Sequence, residues 1–98
     1  MIQHVVAFTW NDSVPLGHAD ICVQTLMAMS REIDSIREYR CGADLAMSTP
    51  ATADFIIVAT FDDIEGWRKY DEHPLHNQVR IQYFKPYLAS RTAGQFIY

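Results

Sequence analysis

The sequence has few of the features that mark an extracellular or a nucleic-acid-binding protein. Its 98 residues include only two cysteines, four glycines and four prolines, and eight basic against twelve acidic side chains. Neither Cys22 nor Cys41 has a Cys or His nearby at a spacing typical of zinc ligands, so we expect two small buried hydrophobic residues. The basic residues are scattered along the chain and form no stripe, which argues against nucleic acid as a partner.

Long apolar runs are also missing. No segment approaches the ~20 apolar residues that span a bilayer, and the first residues lack the basic region, apolar run and cleavage site of a signal peptide. We therefore expect a cytoplasmic protein, with residues 1–98 forming one domain and no membrane partner. The hydrophobic fraction of 49% is ample for a core, but so short a chain supports a large internal pocket only with difficulty unless a partner subunit helps.

Hydrophobic periodicity predicts four strands and two helical regions. The first strand alternates His4, Val6 and Phe8 with Val5 and Ala7. The predicted strands cover residues 2–10, 39–47, 55–61 and 91–98, and the predicted helices cover 19–36, then 64 to about 71, and 74–84.

The resulting order is β-α-β-β-α-β, which is the ferredoxin-like arrangement of an α+β protein with both helices on one face of an antiparallel sheet. The opposite face still carries the apolar residues Val5, Ala7, Ile56 and Val58, and burying them requires another surface. A second copy of the same sheet, in a two-fold contact, is the simplest cover. We therefore predict a homodimer through the sheet face.

The segment from Tyr70 to His76 is the most informative for function. Pro74 lacks an N–H and disfavours helical geometry at the residue before it, so one helix should end and another begin there. His73 then becomes the N-cap, and His76 falls in the first turn of the new helix. The positive end of the helix dipole disfavours an imidazolium, so His76 should be neutral and able to accept a proton.

Two motifs together carry a family resemblance. The opening Met-Ile-Gln-His-Val-Val-Ala-Phe, with Tyr70-x-x-His73-Pro74-x-His76, resembles the stress-responsive dimeric α/β-barrel (Dabb) family, and distantly the plant enzyme olivetolic acid cyclase. The resemblance implies a dimeric α/β barrel with a cavity between sheet and helices. It also implies cofactor-free closure of a polyketide, with Tyr70 and His76 at the matching positions and His4 facing the same cavity. His73 also matches the motif, where its role is more structural.

The functional hypothesis gives each residue a role that suits its chemistry. His76 is the general base that removes a proton beside a carbonyl, and Tyr70 donates a hydrogen bond to the enolate oxygen. His4 orients the substrate. We expect no cofactor and no metal, and a small molecule as ligand. The cavity wall is predicted to contain Trp10, Met29, Trp67 and Tyr83, and His18 is expected to be exposed.

Three alternatives stay open at this point. The same polar groups could merely anchor a small ligand in a non-catalytic or stress-associated dimer. His4, His73 and His76 could hold a metal ion with an open coordination position, although residues three apart across a helix start rarely aim at one point. Heme chemistry or flavin-independent oxygenation, as in other ferredoxin-like barrels, is not marked by any local motif.

Overall fold

The computed structural model describes all 98 residues, as an antiparallel sheet with helices on one face. The strands are β1 (Ile2–Trp10), β2 (Ile36–Ala43), β3 (Phe55–Phe61) and β4 (Leu88–Ile97), and the helices are α1 (His18–Glu32), α2 (Ile64–Asp71) and α3 (Pro74–Val79). A π-helical turn, Arg80–Phe84, and a 3₁₀ turn, Lys85–Tyr87, lead into β4. The strand order is β2-β3-β1-β4, with every neighbouring pair antiparallel. The predicted ferredoxin-like α+β fold is confirmed.

The alternation in β1 decides which side chains reach the interior. Ile2, His4, Val6 and Phe8 are buried, while the residues between them are exposed or half-buried. This places His4 on the apolar face of the central strands, where the core forms. The imidazole of His4 is therefore held among hydrophobic side chains.

Four element boundaries differ clearly from the sequence prediction. α1 ends at Glu32 because Ile33 is extended, and Ile36 already begins β2. Ile33 and Ile36 continue the apolar spacing of the helix, so periodicity alone extended it too far. β2 ends at Ala43, and the side chains of Leu45 and Met47 beyond it are 80% and 83% exposed. β4 begins at Leu88 rather than at Arg91.

The helix break before Pro74 is formed as predicted. Asp63 caps α2 by accepting a hydrogen bond from the backbone N–H of Gly66 at 2.8 Å. His73 caps α3, with Nδ1 accepting from the N–H of Leu75 at 3.1 Å, and Pro74 follows in the first turn. The break turns the chain between α2 and α3 and brings His76 back towards Tyr70.

The prediction that His18 is exposed was wrong. His18 is buried at the start of α1, where its Nε2 lies 2.6 Å from the carbonyl oxygen of Tyr83. The rings of Trp10 and Tyr87 pack edge-on against it. The hydrogen bond from Nε2 and the packing of both rings give this histidine a structural role. Cys22 is buried as predicted, Cys41 is half-buried, and both are free thiols.

β4 is the edge strand that pairs with β1, and nearly all of its residues are exposed. Antiparallel pairing places Arg91 opposite Phe8 and Gln95 opposite His4, on the same face as those buried residues. The side chains of Arg91 and Gln95 therefore lie on the face of the sheet that is covered by the helices. No helix has the length and apolar character needed to cross a bilayer.

Candidate functional site

A cavity of about 390 Å³ lies between the sheet and the helical segments that follow Tyr70. Nine of its 15 lining residues are hydrophobic. His4, Tyr70 and His76 all line it, so the structure brings the three predicted site residues together. An apolar pocket with a few convergent polar groups is the usual form of a small-molecule site.

The three rings are in contact. The His76 and Tyr70 rings are stacked, with centroids 4.1 Å apart and planes inclined by 26°. The His4 and Tyr70 rings meet edge to face, with centroids 5.8 Å apart. Tyr70 is 2% exposed, so its ring is held in place while it contacts both imidazoles.

His76 is arranged as a neutral base. Its Nδ1 lies 3.2 Å from the carbonyl oxygen of Asp71. A carbonyl can only accept, so Nδ1 carries the proton and Nε2 keeps its lone pair. Burial is the main cause that lowers the pKa of His76, and the Arg80 guanidinium acts in the same direction, against the hydrogen bond to Asp71. The ring is thus uncharged at neutral pH and can accept a proton at Nε2.

His4 has the opposite tautomer. The Nε2 amide group of Gln95 lies 2.9 Å from His4 Nδ1. An amide nitrogen can only donate, so Nδ1 accepts and the proton of His4 lies on Nε2. Burial, with the positive charge of Arg91 as the next cause, lowers the pKa of His4 to about 4. His4 is therefore a neutral hydrogen-bond donor, whereas His76 is a neutral acceptor.

Tyr39 lies within hydrogen-bond distance of the Tyr70 hydroxyl but does not itself line the cavity. The two hydroxyl oxygens are 3.1 Å apart and both residues are buried. Burial raises the pKa of Tyr70 to about 12 and raises the pKa of Tyr39 further. Both phenols stay protonated at neutral pH. When Tyr39 donates to Tyr70, the Tyr70 proton is free for another acceptor.

The π-helical turn supplies part of the cavity wall. Arg80, Ile81 and Phe84 of this turn line the cavity, and Lys85 and Arg91 follow from the next two elements. π-helical turns are rare and frequently occur at functional sites. Three cationic side chains thus border the cavity, together with the single carboxylate of Asp71.

The three-histidine metal hypothesis does not fit this geometry. His73 does not line the cavity that contains His4 and His76, and its Nδ1 accepts the capping hydrogen bond from the N–H of Leu75. No group of three or more His, Cys, Asp or Glu side chains is arranged to hold a metal ion.

The predicted cavity wall was wrong in its details. Trp10, Met29, Trp67 and Tyr83 are absent from the lining. Trp67 borders a separate apolar cavity beside Phe96 instead. Periodicity indicates which residues turn inwards, but it does not distinguish core from cavity wall.

Sequence reasoning also missed several residues that line the cavity or support its site residues. Tyr39 and Gln95 each hold a site residue by a hydrogen bond, and the cations Arg80, Lys85 and Arg91 border the cavity. Tyr39 falls on the inward face of its predicted strand, which was the one signal available for it. The others depend on which strands and turns are neighbours in space.

Comparison with known proteins agrees with this architecture. The model of the Dabb family, which is described as Stress responsive A/B Barrel Domain, matches residues 2–97. The chain belongs to the Dabb family. A relative in Streptomyces coelicolor, an uncharacterized protein, is 31% identical over 78 residues, which is 78% of this chain and 79% of the relative.

Solved structures show the same fold. A dimeric ferredoxin-like protein of unknown function from Thermobifida fusca is 33% identical, with a TM-score of 0.88 over 99% of this chain and 90% of that one. A hydroxynitrile lyase from Passiflora edulis is 13% identical, with a TM-score of 0.83 over 99% of this chain and 92% of the lyase. At that identity the likeness to the lyase is one of fold alone.

Proposed function

We propose that this Dabb protein is a cofactor-free acid/base catalyst that acts on a small carbonyl compound. The observation that carries the proposal is the pairing of a neutral, proton-accepting His76 with a stacked, protonated Tyr70 in one apolar cavity. Sites that place a neutral base beside hydrogen-bond donors are suited to proton abstraction next to a carbonyl.

The proposed step is enolate formation. His76 Nε2 takes a proton from the carbon beside the carbonyl, the electron pair of that C–H bond forms the C=C bond of the enolate, and the π pair of the carbonyl moves onto its oxygen. Tyr70 donates a hydrogen bond to this oxygen, and His4 Nε2–H serves as a second donor that orients the substrate. Return of a proton from the imidazolium regenerates the ketone. Attack of the enolate carbon on a second carbonyl instead closes a ring, and the alkoxide that forms takes the proton from the imidazolium; ring closure is what the motif resemblance to olivetolic acid cyclase implies.

Deuterium exchange tests this step without knowledge of the natural substrate. The probe is 4-oxo-4-phenylbutanoate, whose methylene beside the ketone carries exchangeable protons, with its methyl ester measured in parallel. In D₂O we expect the protein to accelerate loss of the methylene signal in the proton NMR spectrum, and a positioned base typically supplies about 10²–10⁴-fold.

Two histidine variants make the test specific. His76→Gln should abolish the acceleration, because the amide has no basic nitrogen. His73→Asn is the matched control, since asparagine also caps a helix and His73 does not line the cavity that contains His76. Exchange that persists in His76→Gln, or no acceleration of either probe by the unmodified protein, would overturn the proposal.

A non-catalytic ligand-binding protein is the second candidate. It is favoured by the predominantly hydrophobic lining of the cavity, which suits binding of an apolar ligand whether or not chemistry follows. Saturable binding of either probe with no exchange above the buffer rate supports this candidate over the enzyme.

A homodimer is part of the proposal. The sheet face away from the helices pairs Val5 with Val58 and Ala7 with Ile56, and Val5 is 36% exposed. An apolar sheet face of this kind is stabilised by contact with a second copy. The Thermobifida fusca structure is described as dimeric, which supports the same assembly here. The cytoplasmic location expected from the sequence is retained as a prediction.

A further inference from the structure

The charges around the cavity are opposite to those of the whole chain. The chain has twelve acidic and eight basic residues, yet the cavity lining has one acidic residue, Asp71, and three basic ones, Arg80, Lys85 and Arg91. A cavity lined by cations within an acidic protein attracts anions selectively.

Two of these cations have no protein partner. Neither Lys85 nor Arg91 forms an ion pair or a side-chain hydrogen bond. Arg80 is partly occupied, because it donates to Asn77 at 2.7 Å and lies 4.0 Å from an Asp71 oxygen. The cavity therefore offers positive charge that the fold itself does not neutralise.

The position of Arg91 is set by the sheet. It lies opposite Phe8 in the β1–β4 ladder and so stands on the inward face of an edge strand. Arg91 and His4 line the same cavity, and the positive charge of Arg91 is one of the causes that lower the pKa of His4.

We infer that the cavity binds a carbonyl compound that also carries an anionic group such as a carboxylate, held by Arg91 and Lys85. The guanidinium fork of Arg91 matches the two oxygens of a carboxylate, and Lys85 adds a point charge. The apolar lining receives the rest of the ligand while the imidazoles and Tyr70 stand at its carbonyl. The carbonyl part of this substrate class rests on the proposed function. The preference for an anionic ligand concerns binding alone and can be tested without catalysis.

A matched ligand pair tests the inference. Isothermal titration calorimetry compares 4-oxo-4-phenylbutanoate with its methyl ester, which keeps the ketone and ring but has no charge. We expect the acid to bind at least about 10-fold more tightly, since hydrogen bonds to charged groups contribute more than neutral ones. We also expect added salt to weaken binding of the acid and to leave the ester unchanged.

Charge-removing variants locate the effect. Arg91→Gln and Lys85→Gln should each weaken acid binding about 10-fold and leave ester binding unchanged. Arg31→Gln is the matched control, because Arg31 is exposed on α1 and is not a cavity residue. The inference would be overturned if the acid and the ester bound with equal affinity, or if neither Arg91→Gln nor Lys85→Gln weakened binding of the acid.

The two proposals fail in different ways. Preferential binding of the acid without deuterium exchange refutes catalysis and supports the anion site. Exchange that is equally fast for acid and ester, with equal affinities, supports catalysis and refutes the anion site.

Discussion

The ring of His76 lies flat against the ring of Tyr70, with centroids 4.1 Å apart, and its Nδ1 faces the Asp71 carbonyl. The stacking and the hydrogen bond fix the plane and the tautomer of the imidazole together. A base held in this way loses little freedom when a substrate arrives, which is the main advantage of a preorganised site.

Tyr39→Phe tests whether Tyr70 depends on its buried partner. The substitution keeps the ring but leaves the Tyr70 hydroxyl without its 3.1 Å neighbour. We expect a loss of about 1–2 kcal/mol in the free energy of unfolding, measured by urea denaturation. We also expect slower deuterium exchange, because Tyr70 then has no fixed donor orientation. Unchanged stability and exchange would show that the pair is incidental.

The pH below which the exchange reaction loses activity should be set by protonation of His76. Because burial lowers its pKa, the neutral base persists below the usual histidine value of 6.5. The charged groups facing it are Asp71, which opposes the shift, and Arg80, which adds to it. A profile of kcat/KM against pH should therefore lose activity only at a pH below 6.5. An acid limit above 6.5 would contradict the assignment of His76 as the base.

Fold stability should decline in mild acid because of His4. Its folded pKa of about 4 is below the ordinary 6.5, so the unfolded chain binds the proton more tightly between these values. The contribution is fully present above pH 6.5 and is lost as the pH falls towards 4. Each unit of pKa corresponds to about 1.4 kcal/mol, and allowing for solvent screening we expect a loss of about 1–2 kcal/mol.

Urea denaturation at a series of pH values measures this loss. His4→Gln should make the decline shallower, because glutamine does not titrate, while the lowered pKa of His76 leaves a residual decline. An equally steep decline in the variant would place the acid sensitivity elsewhere.

Val58→Glu tests the proposed dimer. A carboxylate introduced at position 58, opposite Val5, would be buried in the apolar contact between two copies, which costs several kcal/mol for each unpaired charge. Light scattering should show a dimer for the unmodified protein and a monomer for the variant. Leu16→Glu is the control, since Leu16 is fully exposed in a loop. A stable monomer before mutation would contradict the dimer.

Local chemistry predicted much of the site. The alternation of β1 placed His4 inside, and Pro74 predicted both the helix break and the cap at His73. These features depend on neighbours within a few residues, where backbone geometry and periodicity decide the outcome.

The remaining features depend on contacts between distant segments. Gln95 meets His4, and Arg91 meets the cavity, only because β4 pairs with β1 in one register. A register shift of one residue would turn both side chains to the other face. His18 was misjudged for a related reason, since the Tyr83 carbonyl that binds it is 65 residues away in the chain.

The most direct test of the central claim is a nitrogen-15 NMR titration that reports the protonation of each imidazole nitrogen. At pH 6.5 we predict that His76 is neutral with its proton on Nδ1 and that His4 is neutral with its proton on Nε2. Gln95→Leu should allow the proton of His4 to occupy either ring nitrogen and should leave the tautomer of His76 unchanged. A His76 imidazolium at that pH, or a proton on its Nε2, would contradict the account.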